Sequence, residues 1–114
     1  MINIAFDVDD TLWKVRWELR NGIAIPCGQI PDYEVIHTLI FHYKNGEKIY
    51  VWSAGGVDYA RSVCEKLGLS DMVEVVRKDQ VTADALQIDL TYDDQEVTLG
   101  KVNIRIHREY RMEE

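Results

Sequence analysis

Residues 2–6, Ile-Asn-Ile-Ala-Phe, form an apolar run that stops abruptly at Asp7-Val8-Asp9-Asp10-Thr11. A run with so few polar interruptions reads as a strand covered on both faces, the signature of a parallel sheet with helices on either side. Open α/β sheets place their ligands at the carboxyl ends of such strands. Carboxylates gathered there are costly unless a cation or phosphate-handling chemistry accounts for them. The plain alternative is a strand followed by a solvated acidic turn.

The rest of the chain alternates strands and helices. Residues 14–26 read as a hairpin, in which Val15–Arg20 and Ile23–Pro26 flank Asn21-Gly22, a strong short-range hairpin signal. A helix follows Pro31 and Asp32, with Asp32 as N-cap. Val35, Ile36, Leu39, Ile40 and Tyr43 recur at helical spacing, and Asn45-Gly46 ends the helix. Strand two is Lys48–Trp52, terminating at Ser53-Ala54-Gly55-Gly56. A second helix covers residues 57–67, with Tyr59, Val63 and Leu67 facing inward and Gly68 as its cap. Strand three is Val73–Val76, strand four Leu86–Tyr92, and a last strand, Val102–Ile106, precedes a charged tail. Only about nine residues separate strands three and four, whereas a parallel crossover needs a dozen or more. Either these boundaries shift or the crossover is cut to one turn. The expected fold is a single α/β domain over residues 1–114, a Rossmann-like parallel sheet of about five strands flanked by helices, with a short β-hairpin flap after strand one.

Composition narrows the function classes. Thirteen basic against twenty acidic residues give a formal charge of −7, the opposite balance from a protein that tracks polyanions. Broad nonspecific nucleic-acid binding is therefore not expected. No apolar run approaches the ~18 residues of a membrane span, and the N-terminus lacks a basic region and a long apolar core, so a cytoplasmic protein is expected. Cys27 and Cys64 read as free thiols, Cys64 in a helix core and Cys27 in a loop. His37, His42 and His107 have no metal-ligand spacing with nearby Cys or Asp.

The string Asp7-x-Asp9-x-Thr11-Leu12 after an apolar strand resembles the first motif of the haloacid dehalogenase-like (HAD) superfamily, most of whose members are Mg²⁺-dependent phosphatases working through an aspartyl-phosphate. Three further signals follow in that family's order: Ser53 after strand two, Lys78 after strand three, and Asp93-Asp94 after strand four. The resemblance covers nearly the whole chain, and its first and fourth motifs are the specific ones. Taken singly, Ser53 is a helix cap, Lys78 a surface lysine with Arg77 as its rival, and Asp93-Asp94 a turn.

The resemblance implies a division of labour. Asp7 is the nucleophile, since a carboxylate can attack phosphorus and form an acyl phosphate that water then hydrolyses. Asp9 is the general acid/base; an Asp at that position is typical of the family's phosphatases. Mg²⁺ is held by Asp7, the backbone carbonyl of Asp9, and Asp93 or Asp94. Lys78 neutralises nucleophile and phosphoryl group. Ser53 and the backbone at Ala54 and Gly55 bind phosphoryl oxygens, with Gly55 and Gly56 permitting close approach. Thr11, placed with the substrate-binding loop, stabilises it through its hydroxyl, and Asp10, where relatives often carry Gly, is a solvated turn residue.

The short gap between Thr11 and the first helix leaves room for a flap and not for a cap domain, so the resemblance is to minimal, capless members with an open site. The substrate is then a phosphorylated small molecule or an exposed phosphate on a macromolecule. Trp13 and Trp17 either pack under the flap or form a wall for the leaving group. Two alternatives stand beside a phosphatase. Response-regulator receivers also set acids, a Ser/Thr and a Lys on a parallel sheet, but their phosphorylated Asp ends strand three, which here ends near Arg77 and Lys78. A non-catalytic or regulatory HAD-like module for phosphate binding or interaction is the other, and the intact Asp7, Asp9, Lys78 and Asp93 set argues against it.

Overall fold

Five strands form one parallel sheet in the order β5-β4-β1-β6-β7. They are β1 Asn3–Asp7, β4 Lys48–Trp52, β5 Glu74–Val75, β6 Leu90–Asp93 and β7 Val102–Arg105. The computed structural model describes residues 1–108 and the backbone of residues 112–113, so most of the charged tail lies outside the described residues. Strand β1 is central and pairs in parallel with both β4 and β6. The chain runs outward from β1 through β4 to β5, then returns to the other side of β1 at β6. Strands β1 and β6 therefore flank the point where the order reverses, the ligand-binding position of doubly wound sheets.

Helices cover both faces, which is why β1 is almost wholly apolar. Ile4 and Phe6 of β1 and Ile49 and Val51 of β4 pack with Val35, Ile36 and Leu39 of α1 (Tyr33–Lys44) and Ala60, Val63 and Cys64 of α2 (Val57–Leu67). The alternate residues Ala5, Tyr50 and Trp52 pack with Ala83 of α3 (Gln80–Leu86) and Ile88 on the opposite face. The period of two along each strand sends successive side chains to two separate cores.

Local signals explain the element ends. Asp32 caps α1, its Oδ1 accepting from the amides of Glu34 (3.1 Å) and Val35 (3.3 Å). Gly68 ends α2 in the left-handed conformation, φ 73°. The hairpin turns on Asn21 (φ 53°) and Gly22 (φ 76°), the pair of left-handed residues that a type I′ turn requires.

Several boundaries depart from the sequence expectation, among them strand three, which is only Glu74–Val75. Strand four starts at Leu90, because residues 80–86 form α3, capped by Asp79. The crossover from β5 to β6 is thus a complete one carrying its own helix. The hairpin is longer than residues 14–26: β2 covers Trp13–Arg20 and β3 Ile23–Pro31. Cys27 accordingly lies in a strand and not in a loop. Arg16 faces Gly28 but Trp17 faces Pro26, so Cys27 is an extra residue, a β-bulge. The backbone of β8 (Met112–Glu113) pairs in parallel with β2.

Arg108, just beyond β7, ties that part of the chain to the loop after β1. Its Nη2 is 2.5 Å from Asp32 Oδ2 and donates to the Thr11 carbonyl, while its Nε donates to the Asp10 carbonyl at 2.8 Å. Both side chains of the pair are largely buried. Asp32→Ala removes a helix cap and strands a buried guanidinium, and is expected to cost about 3 kcal/mol or more. Asp32→Ser restores a cap without the ion pair and should recover about 1 kcal/mol. Urea unfolding of the two variants and the parent measures both quantities; equal stabilities for Ala and Ser would remove the capping contribution.

Candidate active site

Asp7 is the last residue of β1 and Asp93 the last residue of its neighbour β6, so the parallel register brings their carboxylates together. Side-chain oxygens of Asp7, Asp93 and Asp94 all lie within 4.8 Å of one another, and all three residues are buried. Lys78 follows β5 and reaches into this cluster. Its Nζ is 3.0 Å from Asp7 Oδ1 and 2.7 Å from Asp93 Oδ2, with the side chain only 14% exposed. Arg77, the rival for this position, points to solvent and pairs with Asp79.

Asp7 and Asp93 share this one ammonium, which leaves an excess of negative charge in a buried place. Burial raises the Asp7 carboxyl to about 7, and the neighbouring Asp93 adds to the rise, while Lys78 opposes it. Burial alone would lower the Lys78 ammonium, but Asp7 and Asp93 outweigh it and hold the group above its ordinary value. Asp93 Oδ1 accepts from the Gln95 amide at 3.0 Å. Its buried Oδ2 has the charge contact with Lys78 but no aligned hydrogen bond. Three hard carboxylate donors gathered within 4.8 Å fit a hard divalent cation.

Thr11 is fully buried, and its hydroxyl donates to Asp7 Oδ2 at 3.4 Å. The hydroxyl thus orients the carboxylate oxygen that Lys78 leaves free. Asp10 is not a solvated turn residue. It is half-buried with φ 61°, and its Oδ1 accepts from the Val15 amide at 3.0 Å. That left-handed backbone is the conformation glycine adopts freely, and the local bond to Val15 lets Asp occupy it. Burial raises its carboxyl.

Asp9 stands apart from the acidic cluster. Its Oδ1 accepts from the Tyr59 hydroxyl (2.5 Å) and from the Trp13 indole Nε1 (2.9 Å). Both donors fall on one oxygen, so a proton carried by this carboxyl belongs on Oδ2. Burial and the Asp9 carboxylate raise the Tyr59 hydroxyl, keeping it a donor. Gly55 makes this possible: a Cβ there would lie 2.9 Å from Tyr59 Cδ2 and 3.3 Å from Ser53 Oγ.

Ser53 is buried at the end of β4, and its Oγ accepts from the Gly55 amide at 2.9 Å. It does not cap α2. The cap is Gly56 (φ 102°), which makes no side-chain cap hydrogen bond. Ala54 and Gly55 are exposed beside it. A cavity of about 400 Å³ opens between the flap and α2, lined by Asp9, Asp10, Trp17, Pro26, Gln29 and Tyr59 among others. A cavity of about 480 Å³ between α3 and Lys101 contains none of these acids.

Sequence reasoning missed two contributors. Tyr59 has the spacing of a core residue, and nothing local distinguishes it. Arg108 sits in a charged tail. Trp13, expected either to pack under the flap or to form a wall for the leaving group, is buried and donates its indole N–H to Asp9. His42 is half-buried and shares a 3.0 Å hydrogen bond with the Tyr92 hydroxyl, away from the acids. Cys64 is a buried core thiol raised to about 11 by burial. The chain matches no protein-family model, no curated protein and no solved structure.

The charge excess has a measurable consequence. Unfolded, Asp7 loses its proton near 3.8; folded and metal-free, near 7. Between those values the folded state holds more protons than the unfolded one, so stability falls as pH rises through 7. Asp7→Asn should flatten that fall and be more stable than the parent at pH 8. Urea denaturation at pH 5 and pH 8 in chelator tests this, and parallel pH profiles would contradict it.

Proposed function

We propose that this protein is a Mg²⁺-dependent phosphomonoester phosphatase of the haloacid dehalogenase-like type, working through an aspartyl-phosphate on Asp7. One observation carries the reading. Asp7, Asp93, Asp94 and Lys78 converge from three chain segments at the strand ends where the sheet order reverses, with Asp9 two residues beyond Asp7 held by its own donors.

Asp7 attacks the phosphorus through one carboxylate oxygen, and the phosphorus–oxygen ester bond breaks. Asp9, protonated on Oδ2, gives its proton to the departing alkoxide. It then takes a proton from the water that attacks the phosphorus of the aspartyl-phosphate. The bond between that phosphorus and Asp7 breaks, releasing inorganic phosphate and restoring Asp7. Lys78 offsets the charge of nucleophile and phosphoryl group together. Ser53, held by the Gly55 amide, and the Ala54 amide bind phosphoryl oxygens, helped by the start of α2, where the N-cap Gly56 supplies no side chain. Asp7, the Asp9 carbonyl, Asp93 and Asp94 are the residues to hold Mg²⁺, which when bound supplies further positive charge for the meeting of two anions.

Phosphate release from an aryl phosphate, with Mg²⁺ or with chelator, tests the reading. Activity should require the metal, and Asp7→Asn should reduce it to background while leaving the fold intact. Hydrolysis retained by the Asn variant, or full activity in chelator, would overturn it. Divalent metal should also raise the melting temperature, because it relieves the charge excess.

The acid/base role makes a finer prediction. Tyr59→Phe removes one donor from Asp9 and should slow esters of alkyl alcohols about tenfold, while nitrophenyl phosphate, whose leaving group needs little protonation, suffers less. Equal losses for both would show that Tyr59 does not act through Asp9.

A further inference from the structure

We propose that the cavity between the flap and α2 binds the leaving group of the phosphoester, and that this group is neutral and aromatic. The inference rests on the phosphatase reading for its direction: Asp9, the proton donor, lines the cavity, so the alcohol it releases lies there. The chemical class comes from the walls.

Along β2, Trp13, Val15 and Trp17 share one face by alternation. Trp13 is buried and engaged with Asp9, whereas Trp17 and Val15 are half-buried and line the cavity. On β3 simple alternation would carry Cys27 to the same face as Gln29. The bulge inserts Cys27 as an extra residue and turns Pro26 inward instead. Both Pro26 and Gln29 line the cavity. The Tyr59 ring, from α2, lines it as well. The outcome is a mostly apolar slot with two aromatic rings, a proline and one amide able to hydrogen-bond the edge of a flat group. Such a cavity is of the size that takes a small molecule.

Charge sets the second limit. The ionisable acids that line the slot are Asp9 and Asp10, and no Lys or Arg is among the described residues lining it. A leaving group carrying further phosphates would meet only like charge, which disfavours polynucleotide ends and bisphosphates.

The test uses esters whose leaving alcohols are equally acidic, so that chemistry does not mask binding. For 3-phenylpropyl phosphate against n-propyl phosphate, kcat/KM should favour the aromatic ester about tenfold or more. Propane-1,3-diol bisphosphate should be the poorest of the three. Trp17→Ala should bring the first two close together, and Trp17→Phe, which keeps a flat ring, should hold most of the preference. A ratio near one in the parent, or an unchanged ratio in Trp17→Ala, overturns the proposal. A measurement independent of turnover accompanies this: 3-phenylpropanol at millimolar concentration should shift the Trp17 indole resonance in a ¹⁵N spectrum. If neither ester is hydrolysed while the alcohol shifts Trp17, the phosphatase reading falls and the aromatic slot stands. If both esters are cleaved at one rate and Trp17 does not respond, the slot falls and the phosphatase reading stands. No hydrolysis and no response removes both.

Discussion

One ammonium shared by two buried carboxylates is the constraint on which the rest of this structure depends. Lys78 contacts Asp7 and Asp93 at once, and Asp94 stands beside them. A buried carboxylate is tolerable only when paired, and here Asp7 and Asp93 share a single ammonium. The fold therefore stores an electrostatic imbalance at the end of its central strand, raising Asp7 toward neutrality. An arrangement that costs stability in this way is characteristic of sites built for a ligand.

The surrounding elements are organised to hold that imbalance still. Thr11 orients Asp7 from within the loop. Arg108 closes the same loop from behind by engaging the carbonyls of Asp10 and Thr11 and the N-cap of α1. The loop after β1 is thus fixed by its own side chains, by a helix start and by the distant end of the chain. Asp9 is separated from the acidic cluster by its two donors, Trp13 and Tyr59. Two carboxylates only two residues apart consequently sit in different surroundings, the basis on which neighbouring acids take different roles.

The flap depends on a single inserted residue. With strict alternation, Trp17 would face the same side as Cys27; the bulge at Cys27 presents Pro26 in its place. A thiol leaves the cavity face and a rigid apolar ring enters it.

The order of the parallel elements was legible from the sequence, because hydrophobic period and end signals are local. Strand Lys48–Trp52, helix 57–67, the Asp32 cap and the Asn21-Gly22 turn all stand where the pattern placed them. Of the two readings of the short crossover, shifted boundaries hold: the residues before Leu90 are apolar enough for a strand, while Asp79 starts a helix at Gln80. Asp7, Lys78, Asp93 and Asp94 were legible as candidates from their positions at segment ends. Their meeting was decided by tertiary structure alone: strand order, set by how helices cover the sheet, brings β6 beside β1. Tertiary structure also decided that Tyr59, packed against the core, reaches Asp9 with its hydroxyl and that Trp17, not Trp13, faces the cavity. Those choices turn on distances between segments far apart in the chain, and no local period encodes such distances.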